Sequence, residues 1–219
     1  MKSISPFTLA LFLFCSLATA QPYQQLDDWY PGIVILRTDE VIRADISFDP
    51  ASNLVMCQKD GKLYTYGPHQ AVSFQYYNEQ DGVLHKFEVF SEQVNSYYSR
   101  DAFFEIVVDG DVPYLRKRNR FPVYQPRDGY LAERTITPHA KAYDYFVELD
   151  GSLSKAKRFK KEVLPHLLQA EASLAGFIKD KRLKVYDIGD QIVLLNYYNR
   201  KAETVKATAN TLSDNKGAD

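Results

Sequence analysis

Between Gly32 and Arg118 hydrophobic and polar positions alternate in short runs. In "VIRADISF" (Val41 to Phe48), Ile42, Ala44, Ile46 and Phe48 fall on one side, and Arg43, Asp45 and Ser47 on the other. A half-buried strand requires this period of two, because successive side chains point to opposite faces. "DPASN" (Asp49 to Asn53) ends the strand with proline and Asx turn residues. In "NLVMCQKDGKLYTYG" the pair Asp60-Gly61 separates two short runs, a hairpin signal because a type I′ turn needs positive φ. Further strands are predicted at "AVSFQYY" (Ala71 to Tyr77) and "VLHKFEVF" (Val83 to Phe90). "AFFEIVV" (Ala102 to Val108) and "VPYLRKR" (Val112 to Arg118) flank Asp109-Gly110-Asp111. This spacing of strands and turns predicts an antiparallel β-sheet, roll or partly closed barrel.

Asn119 to Lys141 holds three prolines and no sustained period, and reads as a long surface connection. "YDYFVELDGSLSKA" resumes as a second hairpin around Asp150-Gly151. The period then lengthens. Phe159, Val163, Leu164, Leu167 and Leu168 fit one helical face, with Pro165 expected to kink it or start a new helix. Leu174, Phe177 and Ile178 form a second stripe. Asp187 can cap a helix carrying Ile188, Ile192, Leu195 and Tyr198, although "QIVLLNYY" also fits a strand. The expected organisation is α+β: a signal peptide (1–20), a β-rich region (21–156), a small C-terminal helical segment (157–200) and a polar, disordered tail (201–219).

The N-terminus decides the expected location. Lys2, the apolar run Leu9 to Phe14 and the small residues of Ala18-Thr19-Ala20 match a cleaved secretory signal. The run is shorter than the ~20 apolar residues that span a bilayer. Lipoprotein processing at Cys15 needs a small residue before it, and Phe14 stands there. Cleavage after Ala20 discards Cys15 and leaves a periplasmic or secreted chain with Cys57 as its single thiol and no transmembrane segment. Cys57 shares a strand face with Val55, as a buried, inert thiol would.

Charge narrows the choice of partner. The chain has 27 Lys plus Arg against 28 Asp plus Glu, a net charge of −1, which argues against a dedicated nucleic-acid binder. The distribution is uneven. Residues 21–114 carry 15 acids and 6 bases, whereas residues 152–184 carry nine bases and three acids. Lys157, Arg158, Lys160 and Lys161 surround the apolar positions of the first helical stripe and form a candidate patch for an anionic surface, such as a lipid headgroup or acidic glycan. The simpler reading is a solvated helix face, or one paired with acids of the β region.

No known catalytic motif is present: no G-x-S-x-G elbow, Walker A loop or G-x-G-x-x-G segment. His69, His85, His139 and His166 are isolated, without the paired spacing of zinc ligands. Asp109 and Asp111 flank a glycine but lack the rest of a calcium loop, so a turn is the economical reading. The sequence calls for no metal and no cofactor. Cys57 with His69 or His85 would be a thiol nucleophile and base only if the fold brought them within hydrogen-bond reach. The aromatic clusters "FQYYNE", "VNSYYSRDAFFE" and "LNYYNR" suit either a platform for sugars or a core. Core packing already accounts for Phe74 and Tyr76, which share a face.

The segments "YFVELDGSL", "KAKRFKKEVLPHL", "LAGFIKDKRLKV" and "IVLLNYYN", with the opening "WYPGIVILRTDEVIRADISF", resemble a group of uncharacterised exported bacterial proteins. The resemblance implies an exported α+β protein and supplies no catalytic residue. The expected function is a non-catalytic envelope binding or interaction module whose partner is an anionic envelope component or another envelope protein. The alternative is an envelope enzyme, a hydrolase with a site assembled from distant residues.

Overall fold

The computed structural model describes residues 28–118 and 142–214. The expected signal peptide and the 119–141 connection lie outside the described residues. Ten strands follow one another: β1 (Tyr30–Leu36), β2 (Val41–Asp49), β3 (Leu54–Lys59), β4 (Lys62–Tyr66), β5 (Ala71–Asn78), β6 (Val83–Asn95), β7 (Tyr98–Val108), β8 (Tyr114–Arg118), β9 (Tyr143–Leu149) and β10 (Ser152–Lys155). They form one open antiparallel sheet in the order β10-β9-β8-β7-β6-β5-β1-β2-β3-β4. Only the β5–β1 pairing joins strands that are not consecutive, and Gly32 permits it. A Cβ there would lie 2.4 Å from the Gln75 carbonyl oxygen and 2.6 Å from Ile46 Cδ1. The hairpin turns are as expected, with positive φ at Asp60 (51°) and Gly61 (71°), and at Asp150 (51°) and Gly151 (80°).

The alternation read in β2 is correct: Ile42 and Ile46 are buried, with Ala44 and Phe48 packed beside them. This face gathers Val34, Val55, Cys57, Phe74, Phe87 and Phe103 into an aromatic core. The sheet bends to close it. Phe48 of β2 meets Phe103 of β7 edge-on at 6.0 Å, and Asn53 Oδ1 accepts a hydrogen bond from the Phe103 backbone N–H at 3.1 Å. On the opposite face, Ala102, Phe104, Leu115 and Phe146 make a second core, which Phe90 of β6 and Leu153 of β10 cover from its two sides. β7 is thus buried on both faces.

The helical segment packs on the far end of β7–β9. A 3-10 turn (Ala156–Arg158) leads into α1 (Phe159–Glu162), α2 (Leu164–Ala170), α3 (Ser173–Lys181) and α4 (Ile188–Asp214). Pro165 falls in the first turn of α2, where its missing N–H costs nothing, so it starts a helix rather than kinking one. Asp187 caps α4 by accepting from the Asp190 N–H at 3.2 Å. "QIVLLNYY" is helical, and α4 runs on to Asp214, past Lys201 where a polar tail was expected. Phe159, Val163, Leu167, Leu174, Leu194 and Leu195 bury against Val108, Tyr114 and Val147 in a third core.

Two polar links lock α4 to the sheet. The buried Tyr114 hydroxyl donates to Gln191 Oε1 at 2.8 Å, and Gln191 Nε2 donates to the carbonyls of Ala156 and Val185. Asn199 grips the β7–β8 turn: its Oδ1 accepts from the Val112 N–H at 3.1 Å, and its Nδ2 donates to the carbonyls of Asp109 and Val112. Gly110 makes room for that grip, since a Cβ would sit 2.6 Å from Asn199 Cγ. Asn199→Ala leaves a buried N–H and two carbonyls without partners, and should cost about 2 kcal/mol in urea unfolding. An unchanged midpoint would show that the turn holds without α4.

On the second core's face, Glu92 meets Lys117 and Arg100. Burial alone would raise the Glu92 carboxyl, but hydrogen bonds and charge from Lys117 and Arg100 hold it below its ordinary range. Lys117 lies over the Phe104 and Phe146 rings at 5.0 and 5.8 Å, and burial there pushes its ammonium down. A depressed carboxyl stabilises the fold above its unfolded value of about 4.3 and loses that contribution as pH falls through the folded value. Glu92→Gln should therefore lower the thermal midpoint near neutral pH and converge on wild type in acid. A gap of constant size would contradict the pairing.

Candidate binding site

One row of side chains crosses the sheet between the aromatic core and the helical core. Register places Tyr76 of β5 opposite His85 of β6, Phe87 opposite Glu105 of β7, Glu105 opposite Arg116 of β8, and Arg116 opposite Tyr145 of β9. All lie on the face that carries Phe103 and Tyr114. Here the two apolar cores leave a gap, and charge fills it.

Glu105 is buried and has both oxygens engaged. Its Oε2 accepts from Arg116 Nε at 2.6 Å, and its Oε1 from Arg116 Nη2 at 2.6 Å. His85 Nδ1 lies 2.7 Å from Glu105 Oε1, and His85 Nε2 lies 3.0 Å from Asp81 Oδ2. Both contacts are hydrogen bonds together only when both ring nitrogens carry hydrogens, since a carboxylate oxygen only accepts. The Tyr76 ring stacks on His85 at 5.1 Å, and its phenol is pushed well up by burial and then by the Glu105 charge. The hydrogen bonds to Glu105 raise the Arg116 guanidinium, which covers one face of Tyr143 at 4.6 Å. Asp81, although burial opposes it, is held below its ordinary range by the hydrogen bond to His85.

Beside the cluster is a cavity of about 120 Å3, with Phe48, Phe103 and Tyr143 among its walls and Arg116 and Arg118 among its charged groups. Tyr143 also lines a neighbouring hollow of about 250 Å3, together with Tyr145, Lys155, Lys157, Tyr186 and Gln191. A larger groove of about 310 Å3 on the outer face of β1, β5 and β6 sets Glu88 and Asp109 against Lys86. It therefore lacks the cationic excess of the other two.

The structure separates the residues singled out from sequence. Cys57 is buried, and burial pushes its thiol up to about 11, which leaves it a poor nucleophile at neutral pH. His85 is committed to Asp81 and Glu105, while His69 and His166 are exposed. His139 lies outside the described residues. Among the described residues no cluster of three or more His, Cys, Asp or Glu is placed to hold a metal ion. Lys157, Arg158, Lys160 and Lys161 are all exposed around the buried Phe159, and Lys157 alone of the four lines the larger Tyr143 hollow. Arg158 pairs with Glu162 at 2.9 Å, and the other three have no ion-pair partner among the described residues. Among the described residues no acid of the β region makes an ion pair with this turn. Glu105 and Glu92 are paired instead with Arg116, Lys117 and Arg100 of the sheet, while Asp144 lines the larger hollow beside Lys155 and Lys157.

Sequence reasoning passed over Glu105, Arg116 and Tyr143. The available signal was the like-faced alternation of Arg116 and Arg118 in "YLRKR" against Tyr143 and Tyr145 in "YDYF", which a known β8–β9 register would have joined. Comparison with protein-family models, with curated proteins and with solved structures finds no match.

Glu105→Ala would strand Arg116 and His85 beside the cores. A loss of about 2–3 kcal/mol is expected, below the ~3–5 kcal/mol for a fully buried pair, because Arg116 keeps some solvent contact. Adding Arg116→Met should recover part of it, since no half-buried guanidinium then lacks a partner. Additive losses in chemical denaturation would rule out the coupling.

Proposed function

We propose that this chain is an exported, non-catalytic binding module that holds an anionic component of the cell envelope. The single observation that carries the reading is the unpaired cationic rim. Lys155, Lys157, Lys160 and Lys161 follow one another from the end of β10 through the 3-10 turn into α1 with no ion-pair partner among the described residues, and Lys155 and Lys157 line the larger hollow beside Tyr143. Surface cations are ordinarily indifferent, but a cluster that the fold leaves unneutralised in a chain of net charge −1 concentrates positive potential where tyrosine faces are also presented. The signal-like N-terminus supports export. No helix among the described residues is long and apolar enough to cross a membrane. The hydrolase alternative is disfavoured because both His85 nitrogens and both Glu105 oxygens already serve the ion-pair cluster.

Retention on immobilised dextran sulfate, followed by a salt gradient, tests the reading. The protein should bind at low salt and elute earlier when Lys157, Arg158, Lys160 and Lys161 are all changed to Gln. Flow-through at low salt, or an elution position unmoved by the four substitutions, would overturn it.

A further inference from the structure

The two hollows flanking Tyr143 have chemistry that a general attraction for anions does not use. We infer that they are adjacent subsites of one site for an acidic oligosaccharide, a glycan whose sugars carry carboxylates; this rests on the binding-module reading. Tyr143 is a lining residue of both hollows, so the two are neighbours that share that side chain as a common wall. Cations and tyrosines alternate across the β8–β9 ladder, Arg116 opposite Tyr145 and Arg118 opposite Tyr143. Lys155, Lys157 and Tyr186 repeat the combination in the second hollow.

Tyrosine rings offer flat apolar faces with a polar edge, which suits the C–H face and hydroxyls of a pyranose. Guanidinium and ammonium groups supply charge-assisted hydrogen bonds to a carboxylate. Arg116 spends Nε and Nη2 on Glu105, while Nη1 takes part in no hydrogen bond among the described residues. Arg118 is exposed and makes no hydrogen bond or ion pair among the described residues.

Size points to a chain rather than a single small anion. At about 120 and 250 Å3, each hollow falls short of the ~300 Å3 at which ordinary small-molecule pockets begin, and the two together exceed it. Tyr186, 77% exposed, stands at the larger hollow with most of its surface open to solvent. A bilayer would engage the outward cations of α1 but would have no use for concave hollows walled by Tyr143 and Tyr145. The geometry therefore favours an inserted glycan over a lipid surface.

Isothermal titration of the full mature chain with galacturonic acid, tetragalacturonate and the neutral maltotetraose tests this, with phosphatidylglycerol vesicles as a separate arm. Tetragalacturonate should bind at least about tenfold more tightly than the monomer, because a second subsite adds to the first. Maltotetraose should not bind measurably. Arg118→Gln should weaken monomer and tetramer alike by about tenfold, the loss of one charge-assisted contact. Lys157→Gln and Tyr186→Ala should bring the tetramer back toward the affinity of the monomer and leave the monomer unaffected. All three side chains are on the surface, and an unchanged thermal midpoint confirms that the variants fold. A tetramer no tighter than the monomer, equal binding of maltotetraose, no saccharide binding, or binding to vesicles alone would each overturn the inference. Retention on dextran sulfate in any of those cases leaves the general anion-binding reading standing, whereas its loss removes both.

Discussion

Strand β7 is buried on both faces, and that constraint organises the molecule. Phe103 must enter the aromatic core while Ala102 and Phe104 enter the core behind it. Pleating sends successive side chains to opposite sides, so neither core can be filled without fixing the other. The sheet answers by bending around one core through β2 and around the other through β10. A closed barrel would need both ends to curl the same way. This chain instead remains an open sheet with the two bends back to back.

The same alternation places a carboxylate where the apolar filling gives out. Glu105 follows Phe103 by two residues, shares its face, and reaches the seam between the aromatic core and the helical core. An ionised group at that depth must be compensated. Arg116 supplies two hydrogen bonds and His85 a third, so the cluster behaves as a structural joint. Within it the charges of Glu105 and Arg116 cancel each other. The cations left over are those farther along the strand and the helical turn, Arg118, Lys155 and Lys157, and these give the neighbouring hollows their sign.

Local patterns in the sequence disclosed much of this. Ile42, Ile46 and Phe48 on one face, the Asp60-Gly61 and Asp150-Gly151 turns, Pro165 at a helix start and Asp187 as a cap each depend on residues a few positions apart. Local steric and hydrogen-bonding rules decide such features. What stayed hidden were pairings across long separations. Nothing near Asn199 announces that its amide will satisfy the turn at Asp109–Val112, and nothing near Gly110 announces why a side chain is forbidden there. Strand lengths were underestimated for β6 and β7 for a related reason. Ser91 to Asn95 and Tyr98 to Asp101 carry too much polarity to read as core strands, and they extend as strands because each supplies the other's hydrogen-bond ladder.

The basic segment shows the same limit from the functional side. Counting charges in residues 152–184 could reveal an excess of bases, but not whether acids of the β region would cancel it. The fold decides that by distance along the sheet. Glu92 and Glu105, on β6 and β7, are taken by residues of β6, β7 and β8, and Asp144 of β9 is the single acid that lines the hollow of Lys155 and Lys157. Phe159, pinned in the helical core, fixes the turn with its cations outward. Their outward placement thus follows from Phe159, while Glu105, which lines the smaller hollow, is taken by Arg116 and His85. Positive charge is in excess at the turn because Glu92 and Glu105 are already engaged within the sheet, which leaves Asp144 as the single carboxylate lining the hollow beside Lys155 and Lys157.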